Sequence, residues 1–78
     1  TFKDTDAEAI EIEVAAESAA VGKLLRELDF KSEAVVGGIH REGDAIVPHG
    51  GTEILARDRL ILFTLPSAIH DVEQMFAD

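Results

Sequence analysis

Two histidines and an arginine lie close together between Ile39 and Glu53, in the run IHREGDAIVPHGGTE of a 78-residue chain. Imidazole can donate, accept or ligate near neutral pH, and guanidinium grips a carboxylate or phosphate through a planar fork. His40, Arg41 and His49 are therefore the candidate ligand-binding residues, for a small anion or nucleotide. They form the one local concentration of positive potential in a chain with sixteen acidic residues against seven basic and a net charge of -9. The competing explanation is that all three sit at solvated strand ends beside a turn. The glycines and proline between them favour that explanation, because those residues shape turns without any ligand.

Other chemistries find less support. A phosphate loop needs glycines at fixed spacing before a helix. Gly22-Lys23 has no glycine five residues ahead of it, and Gly50-Gly51 lead into a strand-like segment. His40, His49 and His70 share neither an i, i+4 spacing nor a zinc-type grouping, and the many carboxylates, though hard ligands for calcium, are scattered. No metal site is expected. Cysteine is absent, which excludes disulfides and thiolate chemistry. Neither Ser18 nor Ser67 has a histidine and an acid arranged around it, and both stand where helix caps are wanted. A carboxylate pair can be drawn from sixteen acids in many ways, so drawing one proves nothing. A catalytic role is not expected.

Acidity also sets the expected partners. Nucleic acid is not expected, since Lys and Arg must neutralise phosphates, and four Phe without Trp or Tyr offer few platforms for bases. Solubility explains the charge most simply, and a high-salt cytoplasm is a second reason that composition alone does not separate from the first. No apolar run approaches the roughly 18 to 20 residues of a membrane span. With no signal segment in view, the expected location is the cytoplasm. A domain of this size buries only about 60% of its unfolded surface, so pairing with a second copy would add core.

The elements that must position the candidate residues follow from periodicity. Residues 1–7 lack a period and read as a tail or linker end. Ile10, Ile12 and Val14 alternate with Glu11 and Glu13, the pattern of a half-buried strand. Ser18 then predicts the cap of a helix through Leu28, with Val21, Leu24, Leu25 and Leu28 at i, i+3, i+4 and i+7 as its apolar stripe. Residues 34–40 read as a second strand, where Gly37 and Gly38 imply a bulge or a close backbone approach. Glu42-Gly43-Asp44 is a hairpin signal into Ala45-Ile46-Val47, and Pro48 ends that strand or marks it as an edge. Residues 59–65 form the most apolar strand, expected at the centre. After Pro66 and Ser67 comes a helix that buries Ile69, Val72 and Phe76. The expected fold is α+β: a small, mostly antiparallel sheet in the order β-α-β-β-β-α, with both helices packed on it.

Taken in order, several of these points resemble one family. Val21-Gly22-Lys23 with Leu25 and Leu28, Ile39-x-Arg41-x-Gly43, Ile46-x-Pro48, Thr52-x-Ile54 and Asp58-x-Leu60 are each weak alone. Together, over residues 8–78, the chain is similar to the TrkA-C domain, the C-terminal half of the RCK modules that regulate potassium transport. The resemblance implies a non-catalytic regulatory domain that forms a homodimer. It would act at the inner face of the cell membrane on a potassium transporter or channel subunit, or on a cation/proton antiporter, by passing on a change in the angle between its two copies. The surfaces expected to pair are those around the Val21 to Leu28 helix and the sheet. NAD or ATP/ADP would belong to a separate N-terminal Rossmann half, with no cofactor in this domain. Two departures stand out. Where the family usually has Gly-Asp before the last strand, this chain has Arg57-Asp58, so either Arg57 takes a left-handed conformation costing about 1 kcal/mol or the turn differs. Members that bind cyclic di-AMP tend to carry Asp-x-Arg and then Asn; Asp29-Phe30-Lys31 puts a lysine, which lacks the bidentate fork, at the arginine position.

Overall fold

The computed structural model describes residues 6–78; the expected tail lies mostly outside the described residues. Four strands form a single antiparallel sheet in the order β1-β4-β2-β3. They are β1 (Glu8–Glu13), β2 (Ala34–Arg41), β3 (Asp44–Ile46) and β4 (Arg59–Thr64). The apolar β4 is central, as its composition predicts, pairing with β1 on one side and β2 on the other. Period-two alternation sends Ile10 and Ile12 of β1, Leu60 and Leu62 of β4, and Ile39 of β2 to one face. Helix α1 (Ile69–Phe76) covers that face with Val72 and Phe76, preceded by a 3-10 turn over Pro66–Ala68. Phe30 comes up against Phe76, ring centroids 6.5 Å apart.

The glycine pair in β2 does what an interrupted strand implies. The β2–β4 register slips between Val36 and Gly38, so Gly37 is an extra, bulged residue. The Phe63 ring of β4 lies directly over Gly37, where a Cβ would collide with it. The β2–β3 hairpin turns through Glu42 and Gly43, both at positive φ, 51° and 84°, as the two central residues of a tight two-residue turn require.

The first helix is the one expected element that the fold replaces. Residues 18–28 form successive turns, with only a 3-10 turn at Leu25–Glu27. The physical reason is a competing set of backbone partners. Gly22 N–H donates to Ile54 O at 2.8 Å, Leu25 N–H to Thr52 O at 2.9 Å and Arg26 N–H to Gly50 O at 3.0 Å, while Ile54 N–H returns to Lys23 O. These donors are the ones a helix would aim at carbonyls four residues back. Gly22, at φ 90°, allows the chain to turn between them. The stripe is still used, since Val21, Leu25 and Leu28 pack against the core from this strap. Ser18 caps a turn here: its Oγ accepts from Ala20 N–H and donates to Met75 O, tying the strap to α1. The α+β class and the antiparallel sheet stand, with one α-helix in place of two.

Candidate functional site

Arg41 ends β2, and its side chain turns to the rim of the core. Its Nε donates to Asp58 Oδ1 at 2.8 Å and its Nη2 to Asp58 Oδ2 at 2.7 Å, a two-pronged pair. Nη2 also donates to Glu53 O at 2.9 Å. Asp58 is 1% exposed and takes a third bond from Leu55 N–H at 2.9 Å. Burial alone would raise the Asp58 pKa; the Arg41 hydrogen bonds, the Leu55 amide and the guanidinium charge outweigh it and hold the carboxyl below its ordinary value. The hydrogen bonds to Asp58, with the Asp58, Glu53 and Glu42 charges, outweigh burial and raise Arg41 above its own.

The pair joins three parts of the chain. Arg41 brings the end of β2, and Glu53 and Leu55 belong to the loop before β4. The backbone of Asp58 accepts from Val14 N–H at 2.8 Å, and Arg57 N–H donates to Val14 O at 2.8 Å, which fixes the end of β1. Arg57 holds φ 71°, the left-handed geometry expected where a glycine would be at ease. Its guanidinium makes an exposed pair with Glu13 at 3.2 Å.

The two histidines lie elsewhere. His40, one residue before Arg41, points to the opposite, solvent-facing side of the sheet, in register with Arg59 and Ala45. His49 opens the turn 49–52: its Nδ1 accepts from Gly51 N–H at 3.0 Å, and its own N–H donates to Thr52 Oγ1. It stands at the mouth of a cavity of about 290 Å³ floored by Leu25, Phe30, Val36 and Pro48, with Arg26 on the rim. No hydrogen bond or ion pair joins His40, Arg41 and His49 to one another, and Arg41 is occupied by Asp58. Among the described residues no three His, Asp or Glu side chains are grouped to hold a metal ion.

Two residues with a part in these arrangements were not recognisable as such from sequence. Asp58 belongs to a motif, but nothing in its spacing names Arg41, seventeen positions away, as its partner. Arg26 looks like the polar side of a helix until the strap brings it to the cavity beside the His49 turn.

The model of the TrkA-C domain matches residues 9–77. This chain belongs to the TrkA-C domain family. Among curated relatives, the Trk system potassium uptake protein TrkA homolog 2 of Methanosarcina mazei is 37% identical over 76 residues, covering 97% of this chain and 17% of that protein. The chain thus spans about a sixth of the relative's length. A solved RCK domain described as being "with cda" superimposes at a TM-score of 0.79 and 26% identity, covering 88% of this TrkA-C chain and 97% of that one. The RCK_C domain dimer of S. agalactiae BusR, solved with c-di-AMP, shares the fold at a TM-score of 0.78 and 24% identity, covering 92% and 93%. The motif positions of this TrkA-C domain now have physical roles. Arg41 and Asp58 are two halves of one clamp, Gly43 turns the hairpin, and Ile54 accepts from Gly22 N–H and donates to Lys23 O to hold the strap.

Proposed function

We propose that residues 8–78 are a regulatory, non-catalytic domain of a TrkA-like potassium uptake system, working as a homodimer in the cytoplasm against a membrane transporter or channel subunit. The observation that carries this reading is the family match over residues 9–77, together with a relative named as a potassium uptake protein. Within the described residues, no helix is long and apolar enough to cross a membrane. The clamp supports the same reading: the shorter of the two ion pairs among the described residues joins β1, β2 and the loop before β4 into one piece, which suits a domain that transmits an angle. Val35 and Val47, 58% and 88% exposed, offer apolar surface for pairing. In this reading the domain carries no cofactor, and NAD or ATP/ADP is held by a separate N-terminal Rossmann half. Sedimentation equilibrium of the chain at tens of micromolar tests the pairing. A dimer is expected, and a strict monomer would remove the mechanical role.

A second reading is favoured by the cavity between the strap and the His49 turn: a sensor of a small nucleotide or anion, in a transporter or a cation/proton antiporter. Its apolar floor and the rim residues Arg26 and His49 suit a flat ring with an attached anion. Lys31, at the family's arginine position, sits in a turn at φ 54°, its N–H bonded to Asp29 Oδ1. Calorimetry with cyclic di-AMP and ATP separates the two readings: heat of binding supports the sensor, and silence from both leaves the structural role.

A further inference from the structure

Charge is divided unevenly between the interior and the surface of this domain. Among the described residues two ion pairs form, and they differ in kind. Arg41–Asp58 closes at 2.7 Å around a carboxylate only 1% exposed. Arg57–Glu13 is 3.2 Å long, between side chains 69% and 48% exposed. The remaining described carboxylates have no ion-pair partner. They include Glu11 on the outer face of β1, Asp44 at the start of β3 and Glu73 on α1, all exposed. The chain as a whole carries a net charge of -9.

Salt acts on these two populations differently. The domain measures 34 × 23 × 19 Å. At about 0.01 M ionic strength the screening length is roughly 30 Å, so the exposed carboxylates all repel one another across the molecule. At about 1 M it is roughly 3 Å, and that repulsion is gone. A pair shielded as Arg41–Asp58 is screened far less. Unfolding moves like charges apart, so removing the repulsion favours the folded chain.

We propose that ionic strength itself regulates this domain. Repulsion among its unpaired surface carboxylates loosens the fold at low salt, rising salt tightens it, and the shielded Arg41–Asp58 clamp holds the strand ends in register throughout. The physiological meaning rests on the potassium-uptake reading, in which the dissolved cation concentration is the regulated variable. The physical effect does not depend on that reading.

Urea unfolding of the 78-residue chain at about 0.01, 0.1 and 1 M KCl tests this, with NaCl and choline chloride run alongside. The folded-to-unfolded ratio is expected to rise about tenfold or more across the series, to the same extent in all three salts, because screening ignores cation identity. A variant with Glu11→Gln, Asp44→Asn and Glu73→Gln is expected to be more stable than the parent at low salt and to rise less steeply. A flat or falling salt series, or an unchanged slope in the variant, overturns the proposal. A rise in KCl without one in choline chloride overturns it as well, replacing screening by cation binding at a site. A tightening that occurs in a chain later shown to have no part in potassium uptake would leave the device and remove only its meaning.

Discussion

Replacing Arg41 by Met is the perturbation whose cost follows most directly from the geometry. It removes both prongs of the pair and the bond to Glu53 O, and keeps most of the side chain's bulk. What remains is the Asp58 carboxylate, 1% exposed, with Leu55 N–H as its one remaining side-chain partner. Stranding a buried charge in this way costs about 3–5 kcal/mol, a large part of the 5–15 kcal/mol that holds a small domain folded. The reciprocal change, Asp58→Asn, is expected to cost less, about 1–3 kcal/mol. The amide keeps an acceptor for Leu55, and the Arg41 side chain, 25% exposed, can turn to water. Arg41→Lys should fall between wild type and Arg41→Met, because one ammonium does not span both oxygens. Urea unfolding of the single and double variants gives the coupling energy, expected to exceed about 1.5 kcal/mol. The pH dependence carries its own signature. Asp58 is held below its ordinary 3.8 in the folded chain, so its contribution is complete above that value and disappears as pH falls through the lower folded value. The deficit of Arg41→Met should therefore shrink in acid. A loss below about 1 kcal/mol at neutral pH, or Asp58→Asn costing more than Arg41→Met, would refute the picture of a buried carboxylate that depends on Arg41.

Three further variants probe other joints. Arg57→Gly relieves the left-handed backbone and loses an exposed ion pair, so it should be more stable than Arg57→Ala by about 1 kcal/mol in thermal or urea unfolding. Gly37→Ala pushes a methyl into the Phe63 ring and should cost about 1–3 kcal/mol, a penalty that disappears when Phe63 is also replaced by Ala. Ser18→Ala removes a buried hydroxyl that bridges Ala20 N–H and Met75 O, and should cost about 1–2 kcal/mol by loosening the strap from α1, read as faster amide exchange in both segments.

The sheet was legible because its signals are local. Alternation in Ile10, Ile12 and Val14, the hairpin residues Glu42-Gly43, the paired glycines of β2 and the apolar run of β4 each fix a conformation with no distant partner. The strap is not legible in the same way, because its apolar spacing satisfies a helix equally well. What decided against the helix is the set of carbonyls on residues 50–54, which compete for its amides, and no pattern within residues 18–28 reveals them. The candidate site divides the same way. Left-handed Arg57 could be expected because the family places glycine there. The pairing of Arg41 with Asp58 could not, because it depends on where two distant strand ends meet. His40, Arg41 and His49 are close along the chain, but alternation along β2 sends His40 and Arg41 to opposite sides of the sheet, and the β3 hairpin carries His49 to the strap.

The central claim, that this TrkA-C domain regulates potassium uptake, is tested most directly by potassium influx in cells lacking their own uptake systems. Those cells would carry the transporter together with the full-length gene product, either intact or with residues 9–77 deleted. The account predicts that the deletion abolishes or uncouples the regulated influx while the transporter remains in the membrane. Influx that is unchanged by the deletion, at every external potassium concentration, would contradict it.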